Sequence, residues 1–421
     1  MMYALVDCNN FFVSCERAFQ PQLEGKAVVV LSNNDGCVVA RSNESKALGI
    51  EMCTPYFKIK SLADSGRLVV RSSNYALYGD LSVRIMSILR SVSPKLEVYS
   101  IDEAFMIMEG MDVAQVKAIS SDLVKRIRQW IGVPVSIGVA STKTLSKIAS
   151  HFAKKYPGYR GVCVMDNDEK RMKALSLTEI GDVWGIGWRT APKLGAMGVR
   201  SASDFVQRPQ EWVKKHLGIM GVRTWMELQG KDCIEDQEPE KRKSICTSRS
   251  FANSISDKNE LASRVSDFAA LCAHKLRSEN SAAHTVWVFI QTNRFRKDTV
   301  QYDPMSSISL DVPASSTQEI VGTSLKILEA IYEPGYEYKR AGVILTDIVD
   351  GSSIQPSLFD FDYGKRSKED KVSEVMDKVN VPGRNLLGLA TQRPGNYSDG
   401  IRCSYKSGSF STDWKDLIEV H

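Results

Sequence analysis

The chain has 421 residues, more than one hydrophobic core usually organises, so several domains are expected. Hydrophobic residues make up 43% and charged residues 25%, which is typical of a globular protein. No apolar run is long enough to cross a bilayer, and the N-terminus lacks the basic segment of a signal peptide. Together these features predict a cytoplasmic globular protein rather than a membrane protein. The net charge of +5 permits nucleic-acid binding without requiring it, and nine scattered cysteines without a C-x-x-C pair argue against a zinc site.

The N-terminal third alternates predicted strands and helices. A short strand in "YALVDC" ends near Asp7, and "KAVVVLS" and "CVVARS" predict two strands joined by the tight turn "NNDG". The stretch "SNYALYGDLSVRIMSILRSV" has a Ser/Asn cap and apolar residues at helical spacing. A second helical pattern spans residues 113–131.

An acidic pair, Asp102 and Glu103, interrupts the strand-forming stretch "EVYSIDEAFMIM". If "LEVYS" and "AFMIM" form a hairpin, the pair lies at the turn, where both carboxylates can lean to one side. Two carboxylates about 4 Å apart repel by roughly 4 kcal/mol at an effective dielectric near 20, and a divalent cation reverses that sign. With Asp7 as a third donor, the oxygen ligands suit Mg²⁺ or Mn²⁺. The alternative is an ordinary hairpin tip with solvated, inert acids.

The remaining chain continues in blocks. The strand "VPVSIGVAS" precedes a helix beginning near Thr142, residues 166–230 are mainly helical, and the charged "EDQEPEKRKS" predicts a linker. A second mixed segment contains the strand-like "TVWVFIQT" and "RAGVILTDIV" and two helical patterns. After Asp350 the chain becomes polar, which predicts a loosely ordered tail. The whole pattern indicates an α+β multidomain protein.

Two motifs resemble a known family. "YSIDEAF" and the N-terminal "ALVDCNNFFVSCE" are similar to the acidic motifs of Y-family, or translesion, DNA polymerases. Further agreement in "GKAVVVLSNNDGCVVARSNESKALGI", "SSNYALYGDLS", "GVASTKTLSKIASHFAKK" and "DVWGIGWRTAPKLGAMGV" resembles the UmuC-type catalytic subunits of DNA polymerase V, including plasmid-borne relatives. The agreement covers most of the chain.

The resemblance implies a right-hand polymerase fold. A catalytic palm would occupy residues 1–165, with small fingers inserted at about 12–72. A helical thumb would follow at 166–232, a linker at 233–243, a β-rich little finger at 244–350 and a partner-binding tail at 351–421.

The resemblance also implies a reaction centre in the palm. Asp7, Asp102 and Glu103 would be the catalytic acids, and the main chain of Cys8 would also face a metal. Two Mg²⁺ ions, or Mn²⁺, would be held there, because paired ions bind the attacking and leaving oxygens in phosphoryl transfer. The three carboxylates are therefore expected to converge within a few ångströms.

The nucleotide-binding residues depart from the family pattern at several positions. Phe12 matches the steric gate that excludes ribonucleotides, where many relatives have Tyr; the alternative is that Phe12, like Phe11, is a core aromatic. Lys46 and Lys154 match positions that hold the incoming triphosphate, although Arg is frequent at the first and a lysine gives a point charge instead of a fork. Asn43 replaces a Tyr of some relatives. Each lysine could instead be a solvated surface charge.

Two further motifs imply contacts with larger partners. Gly185 and Gly187 resemble a helix-hairpin-helix turn, whose backbone N–H groups bind DNA phosphate without reading sequence; the alternative is a plain inter-helix turn. In the tail, Gln355, Leu358 and Phe359 of "QPSLF" resemble the pentapeptide that docks polymerases on the sliding clamp. The alternative is a loop that tucks its apolar residues onto its own domain.

The implied function is error-prone, template-directed DNA synthesis across lesions in the SOS response. The expected partners are damaged primer-template DNA, a dNTP, a processed UmuD-type dimer, the RecA filament and the sliding clamp, with no membrane and with nucleoid association during activity. Two alternatives remain open on the residues: a palm-type nucleotide cyclase, which would not need DNA-gripping domains, and a non-catalytic DNA-binding scaffold, which would not need an intact acidic triad.

Overall fold

The computed structural model describes residues 1–235, 241–354, 363–380, 386–392 and 402–417. It divides into two units, the first formed by Met1–Glu238 with Cys403–His421 and the second by Pro239–Arg402. Within the described ranges, no helix has both the length and the apolar character needed to cross a membrane.

The first unit contains two β-sheets and a helical region. Its strands are β1 (Met2–Cys8), β2 (Val28–Leu31), β3 (Val38–Arg41), β4 (Val69–Ser72), β5 (Leu96–Val98), β6 (Glu103–Met108), β7 (Val135–Ala140) and β8 (Val162–Val164). Its helices are α1 (Phe11–Phe19), α2 (Asn43–Ala47), α3 (Tyr56–Asp64), α4 (Tyr75–Val92), α5 (Val113–Ile131), α6 (Lys143–Lys155), α7 (Asp168–Leu177), α8 (Ala191–Ala196), α9 (Ala202–Val206) and α10 (Gln210–Leu228).

The larger sheet has the order β5-β6-β1-β7-β8, so β1 lies between β6 and β7 and is antiparallel to both. Alternation along β1 sends Ala4 and Val6 into the core built with α1, α4 and α5. Asp7 has the opposite parity and projects from the other face, on the side of α6. The same alternation in β6 puts Glu103 on the α6 face, because Ala104 belongs to the core.

Helix α6 lies very close to this sheet, and Gly138 of β7 is the reason. A Cβ on Gly138 would lie 2.0 Å from the backbone nitrogen of Ser150 and 2.2 Å from the carbonyl oxygen of Ser146. The helix begins where the Thr142 side chain accepts a hydrogen bond from the Leu145 N–H, an N-cap in the expected place. The close approach lets side chains of α6 reach the acids on the sheet.

The smaller sheet has the order β3-β2-β4, with β2 and β3 antiparallel and β2 and β4 parallel. A small core below it contains Val29, Leu31, Val38, Ile59 and Val70. Strand β4 is an edge strand, so its outer side can accept another segment of the chain.

The helical region from α7 to α10 shares a core with one side of α6, including Leu145, Ile148, Leu175 and Phe205. Helix α10 is interrupted at Gly218, whose φ of 67° and ψ of −163° are non-helical. This region corresponds to the segment that the sequence predicts as helical.

Among the described residues, the second unit is one antiparallel sheet with three helices. Its elements are β9 (Ser244–Ile255), α11 (Lys258–Ser278), β10 (Ser281–Thr292), β11 (Met305–Ala314), α12 (Thr317–Ile331), β12 (Tyr338–Asp350) and α13 (Tyr363–Val379). The strand order is β11-β10-β12-β9, and apolar residues of α11 and α12 join the core of the sheet.

The polar tail has more structure than its composition predicts. It contains the 17-residue helix α13, held by an ion pair in which the Arg277 guanidinium donates to Asp377 at 2.7 Å. Residues 403–417 belong to the first unit, although they follow the second unit in sequence. The predicted clamp motif at Gln355, Leu358 and Phe359 lies outside the described residues, as does the middle of the predicted linker.

Candidate active site

The β-hairpin predicted to carry Asp102 and Glu103 is present, and its turn lies beside the end of β1. Strands β5 and β6 are antiparallel, and Asp102 lies in the connecting loop. Asp7 is directly opposite Glu103 in the register of β1 and β6, and the Cys8 N–H donates to the Asp102 carbonyl oxygen at 2.9 Å. The backbones that carry the three acids are therefore adjacent.

Ser100 fixes the loop. Its hydroxyl donates to Asp102 Oδ1 at 2.6 Å and accepts hydrogen bonds from the N–H groups of Asp102 at 3.2 Å and Glu103 at 3.0 Å. This serine-centred turn orients the Asp102 carboxylate. Because the loop is already ordered, binding of a ligand to Asp102 would cost less conformational entropy.

Two lysines of α6 contact two of the acids. Lys154 Nζ lies 2.9 Å from Asp7 Oδ1, with side chains 35% and 23% exposed. Lys147 Nζ lies 2.9 Å from Glu103 Oε2, with side chains 18% and 21% exposed. The two lysines are seven residues apart and so share one face of the helix. The sequence motif singled out Lys154 but not Lys147, although that spacing was readable.

The acids are adjacent without forming a complete metal-binding group. Among the described residues, no three His, Cys, Asp or Glu side chains are arranged to hold a metal ion. The reason is local, because Asp7 and Glu103 each turn toward a lysine ammonium. The donors themselves fit a hard divalent cation: they are carboxylate oxygens, partly buried and in need of positive charge.

A cavity of about 230 Å³ lies in front of Asp7 and Asp102. Its lining brings together residues from the large sheet, α1, β3 and α6: Asp7, Cys8, Asn10, Phe11, Phe12, Val39, Ala40, Arg41, Lys46, Met52, Asp102 and Lys154. The carboxylates of Asp7 and Asp102 and the basic groups of Arg41, Lys46 and Lys154 line the same cavity, which suits a ligand that carries both metal ions and phosphates.

Phe12 is held in this cavity by other rings. It stacks on Tyr78 with a centroid separation of 4.5 Å and an interplanar angle of 14°, and it meets the edge of Tyr75 at 5.8 Å. Both phenylalanines line the cavity, but Phe11 is buried in the core, whereas Phe12 is only partly buried and packs against that core. The two adjacent phenylalanines therefore have different surroundings.

Lys46 of α2 lines the same cavity as Asp7 and Asp102. Its ammonium donates to Asn10 Oδ1 at 2.7 Å and to Asn43 Oδ1 at 3.5 Å. Burial, together with the nearby charges of Lys154 and Arg41, lowers the pKa of Lys46. Several cations in one small cavity repel one another, and a polyanionic ligand would remove that repulsion.

The helical region presents two glycine turns next to each other. Gly185 has a φ of 89°, in the left-handed region that glycine favours, and Gly187 has open space around it. A second turn, from Gly218 to Gly221, was not predicted, although its G-x-x-G spacing was visible in the sequence. The Thr224 hydroxyl just after it donates to the Trp184 carbonyl oxygen at 3.4 Å, which joins the two turns.

Trp184 also connects the first glycine turn to the acids. Its indole N–H donates to the Tyr99 hydroxyl at 3.1 Å, and both rings surround the Lys147 ammonium, at 5.5 Å and 4.5 Å from the centroids. Because Lys147 pairs with Glu103, one unbroken set of contacts runs from the helical region to the acidic hairpin. The sequence alone gave no sign of this connection.

Comparison with known families identifies relatives of the whole chain. The family model described as the impB/mucB/samB family matches residues 6–151, and the model of its C-terminal domain matches residues 242–358. UmuC of Salmonella typhimurium strain LT2 is 37% identical and covers 100% of both chains. ImpB of Salmonella typhimurium is 35% identical over 99% of each chain, and DNA polymerase IV of Bacillus velezensis is 25% identical over 91% of each.

Solved structures show the same fold. A chimera of the Y-family DNA polymerases Dbh and Dpo4 superposes with a TM-score of 0.69 at 22% identity, covering 83% of this chain and 99% of that one. An insertion ternary complex of Dbh DNA polymerase superposes with a TM-score of 0.54 at 21% identity and equal coverage. The expected right-hand polymerase fold is confirmed, and the chain belongs to the impB/mucB/samB family, the UmuC-type members of the Y-family DNA polymerases.

Proposed function

We propose that Asp7, Asp102 and Glu103 are the catalytic acids of this translesion DNA polymerase, and that the cavity beside them binds the incoming dNTP. The chain is a DNA-directed DNA polymerase of the SOS response. The observation that carries the site assignment is the cavity itself, which brings Asp7, Asp102, Phe12, Lys46 and Lys154 together from separate elements. The test is primer extension past an abasic site with the accessory proteins present.

Divalent ions are the expected cofactors, since Y-family polymerases generally use them. Asp7, Asp102 and Glu103, with the main chain of Cys8, would hold two Mg²⁺ or Mn²⁺ ions. When bound, the ions supply charge neutralisation for the attacking and leaving oxygens. The residues of the chain do the rest: Ser100 holds the Asp102 loop, and Lys154 and Lys147 balance the acids.

Lys154 and Lys46 would bind the triphosphate. The two ammonium groups line the same cavity as Phe12, and a bound phosphate would share the Lys154 ammonium with Asp7. The lysines give charge without the planar fork of arginine, so the phosphate geometry depends on their neighbours, Asp7 for Lys154 and Asn10 and Asn43 for Lys46.

Replacing Lys154 with methionine is expected to raise the KM for dNTP about tenfold to a hundredfold, because a hydrogen bond to a charged group is lost. Steady-state extension with one dNTP varied measures it. The matched control is Lys155→Met, whose ammonium lies over the Tyr156 ring, 5.8 Å from its centroid, and does not line the cavity. An equal effect of both variants on KM would contradict the assignment.

Phe12 would be the steric gate. Phe12→Ala is expected to raise ribonucleotide incorporation relative to deoxyribonucleotide incorporation by about a hundredfold, the size of discrimination that a hydrophobic wall achieves against one hydroxyl. Competition between rNTP and dNTP on the same primer-template measures the ratio. Phe12→Tyr keeps the ring and is expected to keep the discrimination. If Phe12→Ala lowers activity but leaves the ratio unchanged, Phe12 is a packing residue.

The DNA and protein partners complete the proposal. The turn at Gly185 and Gly187, with its neighbour at Gly218–Gly221, would bind backbone phosphates of primer-template DNA through main-chain N–H groups. The motif at Gln355, Leu358 and Phe359 would bind the sliding clamp. A processed UmuD-type dimer and the RecA filament are the further expected partners, and nucleoid association would follow from DNA binding.

A further inference from the structure

The last described stretch of the chain lies along the edge of the smaller sheet. The Ser404 N–H donates to Asp35 Oδ2 at 2.8 Å, and the Tyr405 N–H donates to Ser72 Oγ at 2.9 Å. The Ser72 N–H returns a hydrogen bond to the Tyr405 carbonyl oxygen at 3.1 Å. Ser72 ends the edge strand β4, so this segment covers an edge that would otherwise be open. Residues 404–410 are called the C-terminal strap.

The strap continues onto helix α1 and the start of α4. The Ser407 hydroxyl donates to Glu16 Oε1 at 3.0 Å, and the Asn74 side-chain amide donates to Ser407 Oγ and to the Gly408 carbonyl oxygen, both at 3.1 Å. Phe410 stacks on Phe19 of α1 with centroids 5.1 Å apart and planes 4° from parallel. Backbone, polar and aromatic contacts thus fix the strap along its length.

Glu16 is the important partner because it is fully buried and contacts Tyr78, whose ring stacks on Phe12. The Tyr78 hydroxyl donates to the same Glu16 Oε1 at 2.7 Å. Burial raises the pKa of Glu16, in opposition to its hydrogen bonds with Tyr78 and Ser407. A buried carboxyl group depends on all of its hydrogen bonds, so loss of one donor displaces or rehydrates the group.

Tyr78 carries this contact to the proposed steric gate. Its ring stacks on Phe12 at 4.5 Å, while its hydroxyl is held by Glu16, which is held in turn by Ser407. Asn74, the other strap contact, immediately precedes Tyr75, the second ring against Phe12. Each of the two rings that contact Phe12 is therefore linked to the strap through one intermediate residue, Glu16 for Tyr78 and Asn74 for Tyr75.

We propose that the C-terminal strap is a positioning element of the nucleotide site and sets how strictly the polymerase excludes ribonucleotides. The strap holds Glu16 and the start of α4, these hold Tyr78 and Tyr75, and the two rings hold Phe12 against the sugar. The proposal rests on the proposed role of Phe12. It makes residues 404–410, which are remote in sequence from Phe12, part of sugar selection.

The test is the ratio of rNTP to dNTP incorporation efficiency by the full chain, under conditions in which the wild type extends a primer. Ser407→Ala is expected to raise the ratio about fivefold, the effect of one hydrogen bond. Phe410→Ala, which removes the ring contact of the strap with Phe19 and leaves the Ser407–Glu16 hydrogen bond in place, is expected to change the ratio in the same direction. The control is Thr412→Ala, whose hydroxyl donates to the nearby Ser409 carbonyl oxygen at 2.9 Å, and it is expected to leave the ratio unchanged.

A double variant separates the strap from the gate. Once Phe12 is alanine, Ser407→Ala is expected to add nothing to the ratio, because the ring that the strap supports is gone. If Phe12→Ala relaxes discrimination while Ser407→Ala and Phe410→Ala do not, the strap proposal is overturned and the gate survives. If Phe12→Ala itself leaves the ratio unchanged, the proposed gate fails, and the strap proposal falls with it.

Discussion

Asp102→Asn is expected to reduce the rate of primer extension by about a thousandfold, because a carboxylate that neutralises bound cations in phosphoryl transfer contributes several kcal/mol to the transition state. Asparagine has the same shape and can still accept the hydrogen bond that Ser100 donates to Asp102 Oδ1. The loop should therefore keep its conformation, and the loss should come from charge alone. Single-turnover extension opposite an undamaged base and opposite an abasic site measures the rate.

The matched control is Glu109→Gln, just beyond the far end of β6, where Glu109 forms an exposed ion pair with Lys95 at 2.9 Å. Exposed pairs of this kind contribute little, so extension should stay near the wild-type rate. Primer-template affinity, measured by fluorescence anisotropy, should change less than about threefold in Asp102→Asn, because most of the affinity comes from backbone phosphate contacts elsewhere. Extension at the wild-type rate by Asp102→Asn would refute the catalytic assignment.

Glu227→Ala is expected to destabilise the attachment of the helical region to helix α6 by about 3 kcal/mol. Glu227 is fully buried near the end of α10. Its carboxylate accepts hydrogen bonds from the N–H groups of Thr144 at 3.0 Å, Cys233 at 3.0 Å and Ile234 at 3.3 Å. Alanine would leave three backbone donors without this partner and would create a cavity.

Hydrogen exchange is the suitable measurement, because a chain with two units need not unfold in one step. The amides of Thr144, Cys233 and Ile234 should exchange roughly a hundredfold faster or more in Glu227→Ala. Glu211→Ala, an exposed acid in the first turn of the same helix, should change protection at these amides by less than about 0.5 kcal/mol. The contact between Glu227 of α10 and Thr144 of α6 is called the Glu227 junction. Unchanged hydrogen exchange at Thr144 in Glu227→Ala would show that the carboxylate does not stabilise this junction.

The Glu227 junction matters for catalysis because it lies at the start of α6. Thr144 is in the first turn of this helix, and Lys147 and Lys154 project from the same helix toward Glu103 and Asp7. Loosening the N-terminus of α6 should therefore disturb the acids as well as the helical region. The contact of Trp184 with Lys147 is a second connection between the same two parts.

Local features were predictable from sequence because their causes are local. The β5–β6 hairpin, the cap at Thr142 and the helix Val113–Ile131 follow from alternation, capping residues and helical spacing among near neighbours. The family motifs predicted the right-hand polymerase fold, and the comparisons confirm that fold. The acids Asp102 and Glu103 could be singled out because charged residues inside a strand-forming stretch require an explanation.

The sequence by itself determined the family and predicted the acidic hairpin and the residues that are proposed to bind metal and phosphate. Only the tertiary structure decided that Asp7 lies opposite Glu103, that Lys147 and Trp184 support the acidic hairpin, and that the C-terminal strap reaches Glu16. These contacts join residues separated by tens to hundreds of positions, and their formation depends on how sheets and helices pack. Local sequence propensities do not encode such long-range contacts. The strap is an example, since its polar composition by itself predicts a solvated tail, and its order comes from the surface on which it lies.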